Sequence, residues 1–168
     1  FGGLAKEFHV TLVAGSIVLP EPNITNGRLK AGSGALYNST VVFGRDGAPL
    51  GQPQRQMRPI FDQDEPSATR EASRINVVDT PAGRLGVLIG NDSWYPDNYR
   101  KLDELGAQLI AVPAFVVGHG VWDQPWKGYK GLSVPDSVSL KPGAVSVGQA
   151  WHQLTPSAHP PASTALAG

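Results

Sequence analysis

RLGVLIGNDSWYPDNYRK, residues 84–101, is the stretch whose reading decides the fold. Residues 85–89 carry Leu85, Val87, Leu88 and Ile89 with only Gly86 among them, the near-continuous apolar run of a strand covered on both faces. Gly90-Asn91-Asp92 then reads as a sharp turn, and Pro96 as the opening of a helix. Proline has no N–H to leave unpaired in a first turn, and Asp97 complements the positive end of the helix dipole. Tyr95, Tyr99 and Leu102 recur at the spacing of one helical face. Gly106 stands where a left-handed cap stops a helix, and residues 108–112 read as the next strand. A tight strand-to-helix turn is where many α/β enzymes hold a nucleophile above the sheet. Here the turn begins with a residue that has no side chain.

Working outward, residues 75–80, the turn 81–83 and residues 84–89 read as a β-hairpin that feeds the central turn. Further upstream, residues 4–8 look like the tail of a helix. Residues 9–19 are rich in β-branched side chains and read as a strand bent at Gly15. Residues 20–34 read as a polar loop, in which Asn23-Ile24-Thr25 matches an N-glycosylation pattern by three residues only. Residues 35–43 form a second strand, Asp46-Gly47 is a turn signal, and a short strand follows at 49–52. Residues 54–72 show no period and read as a long surface excursion. Downstream of the central stretch, residues 113–130 (PAFVVGHGVWDQPWKGYK) make an aromatic-bearing loop, and residues 145–154 a short helix. The strand–helix–strand order across 85–112 predicts a mixed α/β layer.

The chain has 168 residues, enough for one domain with a real core. Fourteen basic side chains balance fourteen acidic ones, and no basic stripe occurs, which argues against nucleic acid and anionic membrane as partners. No apolar run approaches the roughly 20 residues that span a bilayer, and no basic-then-apolar leader opens the sequence; a cytoplasmic location is the expectation. The chain contains no cysteine, so disulfides, thiolate metal sites and cysteine catalysis are excluded together. No metal-ligand spacing occurs, and no cofactor is expected. Residues 1–154 are expected to form the domain, and the Pro/Ala/Ser-rich residues 155–168 a poorly ordered tail.

Several motifs together resemble the nitrilase, or carbon-nitrogen hydrolase, superfamily. They are Tyr37-Asn38 with Val41-Val42-Phe43, the Asp46-Gly47 turn, Gly86-Val87-Leu88-Ile89-Gly90-Asn91-Asp92, Tyr95-Pro96-Asp97 and Ala111-Val112-Pro113-Ala114. The likeness covers about residues 4–130 and is similar to the middle of that family's domain. It implies a fragment of a four-layer αββα sandwich, acting in its family on nitriles or small amides. In that chemistry a thiolate attacks the substrate carbon, a glutamate is general base and a lysine holds the developing negative charge.

Carried over residue by residue, the resemblance places the nucleophile at Gly90 and the lysine at Gln56, within Arg55-Gln56-Met57-Arg58. The family's glutamate belongs to a segment upstream of Phe1, and Asp62 or Glu65 stands near its second carboxylate. Both mapped positions lack the family's reactive group, so the expectation is an inactive, truncated member, a pseudoenzyme. The alternative is a binding or assembly module that reuses the substrate cavity for a small amide or nitrile. A homo-oligomer, or a pair with an intact homologue, is the expected assembly. After Trp151 the sequence departs from the family into Pro-Ser-Ala-His-Pro-Pro, and a shift of reading frame near Leu154 is one expectation from that departure.

The candidate binding residues are Asn91, Asp92, Trp94, His119 and Trp122. Asp92 reads first as a helix cap or turn residue, ahead of a nucleophile or metal ligand. Trp94 reads first as a core residue, ahead of a pocket wall. Trp122 and Trp126 either close over a ligand or pack the loop down. His119, between two glycines, is the one histidine in a site loop, and sequence assigns it no Asp or Ser partner.

Overall fold

The computed structural model describes residues 1–57, 75–114, 118, 120–129 and 133–155. In chain order the elements are α1 (Gly2–Glu7), β1 (Leu12–Pro20), β2 (Asn23–Thr25), β3 (Arg28–Lys30), β4 (Leu36–Phe43), β5 (Pro49–Arg55), β6 (Val77–Thr80), β7 (Gly83–Val87), α2 (Pro96–Glu104), β8 (Leu109–Ala111) and α3 (Val147–Leu154). A single 3-10 turn over Gly90–Trp94 joins β7 to α2.

The first sheet is antiparallel with order β1-β4-β5. The bend expected at Gly15 is a register shift between Gly15 and Ile17. β5 runs on to Arg55, past the short strand expected at 49–52. Residues 20–34 are not simply a loop, because β2 and β3 pair there with Thr25 opposite Arg28. Only Asn26 and Gly27 lie between them, both with positive φ (52° and 69°), the two-residue turn whose twist matches a hairpin. Its strands are three residues long with no apolar alternation, so periodicity alone passes them over. Gln52 of β5 holds this hairpin: its Oε1 accepts from the Ile24 N–H at 2.9 Å and its Nε2 donates to the Ile24 carbonyl at 3.1 Å. One side-chain amide thereby stands in for a peptide unit of a neighbouring strand.

In the second sheet β7 lies between β6, antiparallel to it, and β8, parallel to it. Alternation along β7 separates two cores. Leu85 and Val87, with Ile89, meet Val42, Val13 and Leu50 of the first sheet, so the two sheets face each other across this cluster. Leu88 points the other way and packs with Tyr99 and Leu102 of α2. Gly86 shares that outer face, where a Cβ would overlap Leu102 Cδ2 and lie 3.1 Å from its Cδ1. Gly86 is therefore the residue that lets α2 lie close on the sheet. The outcome is a mixed α/β sandwich in the expected class, with α2 outside the second sheet.

A third cluster joins Tyr95, Trp126, Tyr129, Val138, Ala150 and Leu154. The Tyr95 ring stacks on Tyr129 at 4.5 Å, and Trp126 meets Tyr129 edge-on at 5.5 Å. Trp126 is 4% exposed, so of its two readings the structure takes packing. The helix expected at 145–154 starts at Val147, because Ser146 and Gln149 cap each other's backbone N–H groups reciprocally.

Burial pushes the Tyr99 hydroxyl up to about 12, with the hydrogen bond to Ser93 opposing. The folded value lies above the ordinary one, so this group's contribution to stability is whole below about pH 10 and is lost as pH rises through about 12. Denaturant titrations across that range are expected to show Tyr99→Phe losing less stability with rising pH than the parent.

Candidate functional site

The strand ladder continues past β7: the Leu88 N–H donates to the Ala111 carbonyl and the Gly90 N–H to the Pro113 carbonyl, each at 3.0 Å. The chain then turns at Gly90, with φ +49°, a conformation that side chains with a Cβ adopt only at a cost. Ser93 Oγ donates back to the Gly90 carbonyl at 2.6 Å. Position 90 thus sits at the C-terminal end of a parallel strand pair, where α/β folds gather their sites.

Among the described residues, a Cβ built on Gly90 would find one heavy atom within 4 Å beyond its chain neighbours, Gln56 Nε2, at 3.9 Å. Positions 90 and 56, 34 residues apart in sequence, therefore face one another. Gln56 is oriented by Asn38, whose Nδ2 donates to Gln56 Oε1 at 2.8 Å. The Gln56 N–H also donates to the Asn38 carbonyl at 2.8 Å. With Oε1 turned to Asn38, the amide nitrogen is the end that faces Gly90.

Asp92 fixes the same junction from below. It is fully buried, and both its oxygens accept from the Met57 N–H, at 3.1 and 3.0 Å. The residue after Gln56 is thus tied to the second residue after Gly90. This is not the helix cap that the sequence suggests: α2 has no side-chain cap at its N-terminus, and Asp92 reaches across to another segment. Its main-chain carbonyl accepts from Asn98 Nδ2 at 2.7 Å, which anchors the start of α2. Asp92→Ala is expected to leave the Met57 N–H without this acceptor and cost about 1.5–3 kcal/mol, read from urea denaturation.

The other candidates divide. Asn91 is half-buried at the turn, directly after Gly90. Trp94 and Trp122 meet through Trp151, with ring centroids at 4.8 and 6.2 Å from it, and the Trp94 carbonyl accepts from the Tyr129 hydroxyl at 2.8 Å. The two tryptophans therefore belong to the aromatic cluster beside α3. His119, Arg58, Asp62 and Glu65 lie outside the described residues. Arg55 is engaged elsewhere, its guanidinium 4.2 Å over the Tyr37 ring and donating to the Pro22 carbonyl at 3.1 Å. Among the described residues no cluster of three His, Asp or Glu side chains forms a metal site. No helix among them is long and apolar enough to cross a membrane.

Asn38 was the site residue not assigned from sequence, although the Tyr37-Asn38 pair is one of the motifs that carry the resemblance. Its role follows from register, since Ser39 pairs with Arg55 across β4 and β5 and sets Asn38 beside Gln56. Chemically, Gly90 offers no nucleophile. Gln56 is a neutral donor and acceptor that supplies no positive charge and no exchangeable proton near neutral pH.

Two facing sheets, with a parallel strand pair ending in a turn and a second strand aimed at that turn, define an α/β sandwich that holds its site at a strand end. The chain belongs to the carbon-nitrogen hydrolase family, whose profile matches residues 1–156. It is 28% identical over 137 residues to the deaminated glutathione amidase of Dictyostelium discoideum, covering 74% of this chain and 42% of that protein. It is 31% identical over 118 residues to the omega-amidase NIT2 of Xenopus tropicalis, covering 66% of this chain and 38% of that protein. The chain thus spans about two fifths of the length of these relatives. Among solved structures, the carbon-nitrogen hydrolase of Helicobacter pylori G27 superposes with a TM-score of 0.53 at 29% identity, covering 69% of this chain and 36% of that one. Nit3 of Saccharomyces cerevisiae, at 22% identity and a TM-score of 0.53, covers 68% of this chain and 38% of its own and supports the fold alone.

Proposed function

We propose that this chain has the carbon-nitrogen hydrolase fold without its hydrolytic chemistry. The observation that carries the reading is the facing of positions 90 and 56. A Cβ on Gly90 would lie 3.9 Å from Gln56 Nε2, so the positions that the family resemblance gives to a thiolate and an ammonium are neighbours here, and neither residue supplies one. Loss of a nucleophile costs on the order of 10⁶-fold in rate in other hydrolases. The test is ammonia release from a panel of small amides and nitriles, including substrates of the two amidases named above. No release above the uncatalysed rate is the expected outcome, and turnover by this chain overturns the reading.

A second reading, as a binding module, is favoured by the orientation of Gln56. Its amide nitrogen faces the position without a side chain, where a small carboxamide or nitrile presents an acceptor. Carboxamides are then expected to raise the melting temperature through preferential binding to the folded state, and Asn38→Ala to reduce that shift. A melting temperature unmoved by carboxamides sinks the binding reading and leaves the first untouched. Assembly with a second copy or with an intact homologue is measured by size exclusion, with and without that homologue.

A further inference from the structure

We propose that the turn joining β2 to β3 is a site of spontaneous covalent modification, deamidation of Asn26, and that the Gln52 tether controls its rate. Asn26-Gly27 is the sole Asn-Gly pair in the sequence. Both residues are exposed, both have positive φ, and neither belongs to the ladder, whose last pair is Thr25 with Arg28. Among the described residues a Cβ built on Gly27 meets nothing within 4 Å, so no neighbour crowds this end of the turn.

Three of the other five asparagine amides are held, and the remaining two, Asn76 and Asn91, precede Val77 and Asp92, whose side chains hinder attack. Asn38 Nδ2 donates to Gln56 and Asn98 Nδ2 to the Asp92 carbonyl. Asn23 Oδ1 accepts from Thr25 Oγ1 at 2.8 Å, and its Nδ2 donates to the Glu21 carbonyl at 3.4 Å. Asn26 combines a free-standing side chain with a following residue that has no side chain to hinder attack.

In the reaction the main-chain nitrogen of Gly27 attacks Cγ of Asn26. The N–Cγ bond forms, the Cγ–Nδ2 bond breaks, and Nδ2 leaves as ammonia with the proton from the Gly27 nitrogen. Water then opens the five-membered imide at either carbonyl, giving aspartate or isoaspartate. No oxidant or reductant is needed, and the mass change is that of NH replaced by O.

The folded turn restrains this attack, because closing the ring requires Asn26 to rotate out of the left-handed conformation. A hairpin of three-residue strands is marginal by itself, so the two hydrogen bonds between Gln52 and Ile24 hold the turn closed. Local opening then gates the chemistry. Isoaspartate adds a main-chain methylene that a two-residue turn with positive φ at both positions does not accommodate. The modified hairpin is therefore released from β5. Pro22, just ahead of the hairpin, accepts from Arg55, the neighbour of Gln56, so the release reaches the edge of the candidate site.

The experiment is a timed incubation of the whole protein at mildly alkaline pH, with peptide mapping by mass spectrometry and isoaspartate detection by a methyltransferase. Asn26 is expected to convert ahead of every other asparagine, giving both products. Gln52→Ala is expected to raise its rate several-fold, while the same peptide from the denatured protein converts fastest and at one rate in both versions. If another asparagine converts first, or Asn26 stays intact while the denatured protein converts, the site assignment is overturned. If Gln52→Ala leaves the folded rate unchanged while the hairpin's amide exchange speeds up, the gating is overturned.

Discussion

Replacing Gly86 with alanine is expected to destabilise the protein by about 1–3 kcal/mol, the usual cost of overpacking a filled core. The added methyl collides with Leu102 Cδ2, and Leu102 is fully buried between Leu88 and Tyr99. The three nearest atoms, Cδ2, Cδ1 and Cγ, all belong to the Leu102 side chain, so either that side chain or α2 has to shift. Leu102→Ala alone opens a cavity and costs about 2–5 kcal/mol. The double variant is expected to cost clearly less than the two separately, because the new methyl occupies part of the vacated space. Denaturant melts of the four proteins measure this coupling. Additive costs, or a neutral Gly86→Ala, would show that α2 does not rest on Gly86.

Gly90→Cys is expected to create a singly labelled protein, since these 168 residues contain no cysteine. The Cβ fits, with Gln56 Nε2 at 3.9 Å as its nearest neighbour, and the left-handed backbone adds a cost of about 1–2 kcal/mol. The thiol by itself is expected to be sluggish toward alkylating reagents at neutral pH, because Gln56 brings no charge to stabilise a thiolate. Adding Gln56→Lys places an ammonium within reach. Each unit by which it lowers the thiol pKa raises the thiolate fraction at neutral pH by up to about tenfold and the labelling rate by roughly threefold, because the less basic thiolate is the weaker nucleophile. A Gly90→Cys thiol labelled at the same rate with and without Gln56→Lys would show that the two positions do not face each other in solution.

Much of this was legible in the sequence because the decisive signals are local. The apolar run ending at Gly90, Pro96 at the first helical turn and the spacing of Tyr95, Tyr99 and Leu102 place β7, the turn and α2 where the structure has them. The β2–β3 hairpin escaped because its strands are polar and short; its one cue was the Asn26-Gly27 pair. The site was legible at Gly90 and Gln56 through the resemblance, whereas the hydrogen bonds that hold it were not. Asp92 reaching Met57 and Asn38 holding Gln56 depend on how separate strands come into register, which no pattern within one segment encodes. Trp94, read as core ahead of pocket wall, and Trp122, read equally as ligand cover or loop packing, are joined through Trp151 because α3, far downstream, folds back onto the turn after β7.

All four tryptophans, at positions 94, 122, 126 and 151, lie in the second half of the sequence. Intrinsic emission excited at the indole band is therefore blind to the β1-β4-β5 sheet and reports only the aromatic assembly around α3. Followed beside far-ultraviolet dichroism, which sees both sheets, it becomes a one-sided gauge: coincident transitions mean that the two ends of the protein melt as a unit, and a split means that they come apart in sequence.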